Sequence, residues 1–173
     1  RVYNNNEGLN TGGMGCYTPP EFWNNELNEV ILKDIIRPTL DSMKQLGTPF
    51  KGMLYTGIMI TNDGPKVIEY NCRFGDPECE LIMPMLNGNL SEILLSISKN
   101  NFDSSLVSWQ NKKGVCVVIC SGGYPKQYDV NFEIIGLKNI NKKILCFHSG
   151  TKEFTGKLVT NGGRVIVLSS LDK

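Results

Sequence analysis

Lys66-Val67-Ile68-Glu69-Tyr70-Asn71-Cys72-Arg73-Phe74-Gly75-Asp76-Pro77-Glu78-Cys79-Glu80 is the stretch on which the reading of this chain turns. Its first half reads as a strand. Glu69 and Asn71 alternate with Ile68 and Tyr70, and a period of two sets them on one face. Two residues of strand separate their backbones by roughly 6.6 Å, a gap that both side chains can close to meet at one point. A carboxylate beside an amide oxygen is a hard-ligand pair. It suits a magnesium ion that keeps some water and takes its other ligands from substrate phosphates. Arg73, two positions on, adds a guanidinium to the same face if the chain stays extended, matched to phosphate or carboxylate oxygens. Gly75-Asp76-Pro77 then turns the chain, with Asp76 placed to cap a helix that has Pro77 at its first position. An isolated Glu-x-Asn on a strand is more often a solvated face than a metal site. The run Arg73–Glu78, six strong and mutually different preferences in a row, is hard to account for as a generic turn.

Composition sets the outer bounds. The chain has 173 residues, enough for one domain or one and a half. Hydrophobic residues make up 40%, which supports a real core. Eighteen basic against 17 acidic residues leave a net charge of +1, with no footprint for nucleic acid or a membrane surface. No apolar run is long enough to span a bilayer, and no signal peptide is evident. Cys16, Cys72, Cys79, Cys116, Cys120 and Cys146 form no C-x-x-C pair, and His148 is the single histidine, so a zinc site is not expected. Reduced thiols in a cytosolic protein fit better than a disulfide framework.

Taken in order, residues 1–20 read as loop. Thr11-Gly12-Gly13-Met14-Gly15 lies within it, and glycines let backbone N–H groups come close to an anion. No Gly-Lys-Ser/Thr follows, so this is no P-loop, and the residues alone leave a plain flexible loop and an anion-binding loop both open. The apolar spacing predicts a helix over 24–46, stopped by Gly47 and kinked or split at Pro38 near Arg37. Residues 52–60 and 66–71 predict an antiparallel hairpin around Asn62–Pro65, and residues 52–60 carry no acid. Helices are expected over 77–87 and about 90–99, then a polar connection over 100–113. From residue 114 the pattern changes to short strands: 114–120, ended by Ser121-Gly122-Gly123-Tyr124-Pro125, then weaker ones near 132–136, 144–148 and 156–160, and a strong one at 164–169. Asn161-Gly162-Gly163-Arg164 reads as a hairpin turn. His148, at a strand end, reads more readily as structural than as catalytic.

Asn71-Cys72-Arg73-Phe74-Gly75-Asp76-Pro77-Glu78 resembles the signature of the phosphoribosylamine–glycine ligase family, the glycinamide ribonucleotide synthetases, within the ATP-grasp superfamily. Asn10–Gly15 and Asn161–Val165 resemble two further motifs of that family, in the expected order. The resemblance runs from the first residue almost to the last.

What the resemblance implies is specific. The fold would be α+β, with 1–110 as the C-terminal part of the ATP-grasp catalytic domain, an antiparallel sheet with helices. Residues 111–173 would be a small, mostly antiparallel β-rich C-terminal domain, incomplete at its end. A missing N-terminal half would hold the nucleotide, and the chain alone would be inactive. The enzyme would be cytoplasmic. ATP as co-substrate would phosphorylate glycine, and the amine of 5-phosphoribosylamine would attack the glycyl phosphate, giving glycinamide ribonucleotide, ADP and phosphate in purine biosynthesis. Glu69 and Asn71 would bind magnesium or manganese, and Arg73 would stabilise the transferred phosphoryl group. Asp76 would cap its helix and bind the substrate amine. Thr11, Gly12, Gly13, Met14, Gly15, His148 and Arg164 would line the substrate, with loop 11–15 as a mobile cover. Many ATP-grasp enzymes carry an acidic metal ligand on the earlier strand, so its lack here puts a second protein carboxylate in doubt.

Two other readings compete. Another ATP-grasp carboxylate–amine ligase should differ in the Gly-Gly-Met-Gly and Arg-Phe-Gly-Asp-Pro-Glu runs. A non-catalytic β-rich binding module leaves Glu69, Asn71 and Arg73 converging on one face without a purpose.

Overall fold

The computed structural model describes residues 1–172. In chain order, strand β1 is Gly15–Thr18, helix α1 Asn25–Ile31, α2 Arg37–Gln45, β2 Tyr55–Thr61 and β3 Gly64–Asn71. Then come α3 Glu78–Ile82, β4 Leu86–Asn87, α4 Leu90–Ser98, β5 Ser108–Trp109 and β6 Lys113–Cys120. The chain closes with β7 Ile144–His148, β8 Thr151–Phe154, β9 Lys157–Thr160 and β10 Arg164–Asp172. Every strand pair is antiparallel. The architecture is α+β, as the resemblance implies.

Two compact units emerge, and they interleave along the chain instead of parting once near residue 110. One holds Arg1–Thr18, Asp76–Met85 and Gln110–Lys173; the other holds Pro19–Gly75 and Leu86–Trp109. The cause is strand pairing. Residues 1–20, read as loop, contain β1, and β1 pairs with β6 through Gly15↔Val117 and Cys16↔Cys116. The resulting sheet has the order β1-β6-β10-β7. It buries Leu81, Cys116, Val118 and Val167 with Met14, Cys16, Phe147 and Leu171 packed against them. The α3 segment thus joins this unit through Leu81, only 1% exposed. Helix α3 is shorter than the expected 77–87. It passes into a 3-10 turn over Met83–Met85, where Pro84 has no N–H to continue the helix.

The 132–136 segment does not form a strand. It runs along β9, with Thr160 N–H donating to Phe132 and Ile134 N–H to Leu158, but Asn131 at φ 70° and Gly136 at φ 85° break its extended path. Strand β8 arises where no strand is expected and pairs with β9. The stretch 161–164 is not a hairpin turn, because β9 pairs with β8 whereas β10 pairs with β6 and β7.

In the other unit the expected helix 24–46 is realised as 25–45, with a difference at its centre. Asn24 caps it, its side chain accepting from the Leu27 N–H at 2.8 Å. Ahead of Pro38 the α-helical pattern is interrupted between α1 and α2, next to the expected position. Residues 32–36 widen into a π-helical turn, with Arg37 N–H donating to Leu32 O five residues back. One extra residue in the turn makes room for a ring that would otherwise meet the carbonyl four residues before it. Gly47 at φ 78° ends the helix, with Thr48 N–H returning to Met43 O at 3.0 Å. The hairpin β2–β3 forms as expected around Asn62 and Asp63. Among the described residues no helix is long and apolar enough to cross a membrane.

Asn24→Ala leaves the first-turn N–H of Leu27 without its side-chain partner. The expected cost is about 1 kcal/mol, read as a lower denaturation midpoint with unchanged slope in urea.

Candidate functional site

In the unit that holds the hairpin, Glu69 and Asn71 do meet. Asn71 Nδ2 donates to Glu69 Oε1 at 2.9 Å. Two features of the backbone bring this about. Both residues lie on β3 two positions apart, and a bulge slips the register so that Gly57 faces Glu69 while Val67 faces Ile58. Gly57 also leaves space: a Cβ there would lie 3.2 Å from Glu69 Cγ. The pair is open to solvent on the Glu69 side. A hydrated cation could replace the amide–carboxylate hydrogen bond, held by the Glu69 carboxylate and, after the Asn71 amide turns over, by its oxygen. No cluster of three or more His, Cys, Asp or Glu able to hold a metal is found among the described residues. A cation here would therefore draw its remaining ligands from water or phosphate, which fits magnesium.

Arg73 does not extend that face. Strand β3 ends at Asn71, the chain bends at Cys72 and Arg73, and the guanidinium donates to Phe74 O at 2.8 Å.

The other unit holds a second cluster. Asp76 is not the helix cap: Pro77 occupies the cap position and no side-chain cap bond is made. The carboxylate of Asp76 instead pairs with Arg164 at 3.0 Å. Arg164 Nη1 also donates to Asp76 O at 2.9 Å and to Gly13 O at 3.0 Å. One guanidinium thus ties the start of β10 to the signature and to the glycine loop, and any anion reaching Arg164 shares it with Asp76.

The glycine loop is packed closely on both sides. A Cβ on Gly12 would stand 2.9 Å from Arg164 Cζ, and one on Gly13 would stand 2.4 Å from Pro77 Cδ. These glycines serve close approach, not flexibility. Gly12 N–H donates to the Tyr124 hydroxyl at 3.3 Å. Met14 O accepts from Val118 N–H at 3.0 Å, and Gly15 is already in β1. Thr11 opens the loop and is half-buried. His148, at the end of β7, shares a 3.1 Å hydrogen bond with the Thr151 hydroxyl through Nδ1.

Three features escaped the sequence reading. Tyr124 is one; its turn was legible but its reach to Gly12, 112 positions away, was not. The second is Glu80. Its Oε2 is buried without a hydrogen-bond partner, and burial first, with Asp76 and Glu78 nearby, raises its carboxyl above the ordinary value of 4.5, against the lowering influence of a backbone hydrogen bond and Arg164. The third is the Cys16–Cys116 pair, directly opposite across β1 and β6 with sulfurs 3.3 Å apart. Both are free thiols. Burial, then the neighbouring Cys116, pushes the Cys16 thiol well above its ordinary value of 9.0.

Glu80 and Gly13 yield tests. A carboxyl whose folded-state pKa is raised contributes stability below its unfolded value and loses it as pH rises through the folded value. Glu80→Gln is therefore expected to raise the thermal midpoint at pH 7, with the gain vanishing near pH 4; an unchanged midpoint at both pH values would contradict the buried-charge account. Gly13→Ala, forced against Pro77, is expected to lower the midpoint at all pH values.

Comparison with known proteins identifies the family. Residues 1–79 match the family model for the phosphoribosylglycinamide synthetase ATP-grasp (A) domain, and residues 114–173 match that for the phosphoribosylglycinamide synthetase C domain. The chain is 42% identical over 172 residues to the phosphoribosylamine–glycine ligase of Caldanaerobacter subterraneus, covering 99% of this chain and 41% of that protein. It is 43% identical over 173 residues to the trifunctional purine biosynthetic protein adenosine-3 of Gallus gallus, covering 99% of this chain and 17% of that protein. The crystal structure of the Thermotoga maritima phosphoribosylamine–glycine ligase superposes with a TM-score of 0.80 at 32% identity, over 95% of this chain and 40% of that one. The chain therefore spans well under half the length of these relatives. With matches to both domains and the same fold over nearly its whole length, the chain belongs to the phosphoribosylglycinamide synthetase family.

Proposed function

We propose that the intact protein carrying this chain joins glycine to 5-phosphoribosylamine at the expense of ATP. The terminal phosphoryl group of ATP passes to the glycine carboxylate, releasing ADP. The amine of phosphoribosylamine then attacks the acyl carbon of glycyl phosphate, phosphate departs, and glycinamide ribonucleotide results. The observation that carries this reading is the Glu69–Asn71 pair, two side chains converging within 2.9 Å inside the stretch that matches the family's ATP-grasp domain.

Each residue has a role in the proposal. Glu69 and Asn71 hold a magnesium or manganese ion, which when bound offsets the repulsion between anionic substrate oxygens. Arg73, close by in sequence, stabilises charge on the transferred phosphoryl group by hydrogen bonding, since such transfers depend on positioning and positive charge more than on covalent help. Asp76 offers its carboxylate to the substrate amine. Thr11–Gly15, Arg164 and His148 line the region of the phosphorylated co-substrate, with Arg164 held in register by Asp76 and Gly13 O.

Residues 1–110 act in this reading as part of the ATP-grasp catalytic domain and 111–173 as the small β-rich domain; the separate matches over 1–79 and 114–173 support that division. The nucleotide is held by an N-terminal half beyond this chain, in a cytoplasmic enzyme. The β2–β3 hairpin supports the need for further chain. It leaves Ile68 62%, Met59 54% and Tyr70 41% exposed, an apolar ribbon that a two-stranded sheet does not bury by itself.

Glu69→Ala in the full-length protein is expected to abolish glycine-dependent ADP release while the thermal midpoint holds, because Glu69 is exposed and its removal opens no cavity. Turnover equal to that of the unmodified enzyme would sink the metal assignment.

A further inference from the structure

The turn Ser121-Gly122-Gly123-Tyr124-Pro125 is built to a tighter specification than a strand end needs. Ser121 is 8% exposed. Its N–H donates to Gly163 O at 2.8 Å and its hydroxyl to Gly162 O at 2.8 Å. The turn is thereby stapled to the segment that leads into β10. Gly163 then accepts the face of Tyr124: a Cβ there would stand 2.3 Å from Tyr124 Cδ2. Tyr128 flanks the same ring, centroids 6.3 Å apart and tilted by 58°. With the ring so confined, the hydroxyl is delivered to Gly12 N–H at 3.3 Å. The neighbouring Gly13 O is taken by Arg164, the residue after Gly163. Two peptide groups of the glycine loop, Thr11–Gly12 through its N–H and Gly13–Met14 through its carbonyl, are thus held by two side chains on adjoining segments.

We infer that Tyr124 is a positioning residue, holding the Thr11–Gly12 peptide in the orientation in which the loop receives the phosphorylated amine co-substrate. The inference deepens the ligase reading and rests on it for the identity of the ligand. The clamp itself rests only on the contacts above. A hydroxyl that accepts from Gly12 keeps its own proton, and among the described residues no acceptor for it is found. That proton is free to meet a substrate oxygen, so the clamp and the ligand meet at one atom. Arg164 holds Gly13 O and Asp76 through Nη1 alone, and its contact to the loop is independent of the Tyr124 hydroxyl.

The test uses the full-length protein with Tyr124→Phe, which keeps the ring on Gly163 and removes only the hydroxyl. The loop is read by amide hydrogen exchange over 11–15 without ligand. The site is read by calorimetric binding of glycinamide ribonucleotide and by the three separate KM values. Loss of one neutral hydrogen bond predicts loop exchange, product dissociation constant and KM for phosphoribosylamine each raised about 5- to 10-fold. The KM values for ATP and glycine are expected to stay unchanged. Loop exchange identical to that of the unmodified protein would overturn the clamp. Faster exchange with unaltered product binding, or an equal rise in all three KM values, would overturn its role toward the co-substrate. An unmodified protein that neither binds glycinamide ribonucleotide nor turns over would sink the ligase reading, and loop exchange would still decide the clamp.

Discussion

The pairing of β6 with β1 on one side and β10 on the other is the constraint on which the larger unit depends. It makes residues 15–18 an edge of a sheet whose other strands lie a hundred positions away. Once β1 is seated, the glycine loop just before it has no freedom to wander. Its path is set by Met14 O bonded to Val118 and by Gly15 opposite Val117. The same sheet buries Leu81, which anchors α3, and with it Pro77 against Gly13. The end of the signature motif is therefore held by hydrophobic burial on the sheet.

Electrostatics refine what burial sets up. Arg164 emerges at the start of β10 where three oxygens converge, a carboxylate and two carbonyls. The charge-assisted bonds are individually modest at a partly exposed site. Their value is geometric, since they tie loop, signature and β10 to one planar group. Nearby, Glu80 places a carboxylate oxygen out of water without a partner. That is costly for an anion, and it concentrates negative charge with Asp76 and Glu78 around a single guanidinium.

The Glu69–Asn71 pair obeys simpler rules. It depends on β-strand alternation, on one glycine across the hairpin and on a bulge. Nothing remote is needed to bring the two side chains together, which is why the strand pattern located them. Arg73 illustrates where that logic stops. Alternation predicts its direction only while the chain remains extended, and the bend after Asn71 ends the strand's authority over it.

Local chemistry was legible along the chain: the Gly47 stop, the hairpin around Asn62 and Asp63, strands β6, β7 and β10, and the meeting of Glu69 with Asn71. The sequence by itself determined these because each depends on residues within a few positions of one another. Tertiary structure alone decided that residues 1–20 contribute a strand, that Asp76 pairs with Arg164 instead of capping α3, and that a tyrosine after β6 reaches the glycine loop. Where a continuous helix and the Pro38 ring conflict, only the structure showed that a π-helical turn is the answer. Each of these joins positions far apart in sequence or weighs competing partners for one group, and such a choice is made only when the assembled fold brings the competitors together.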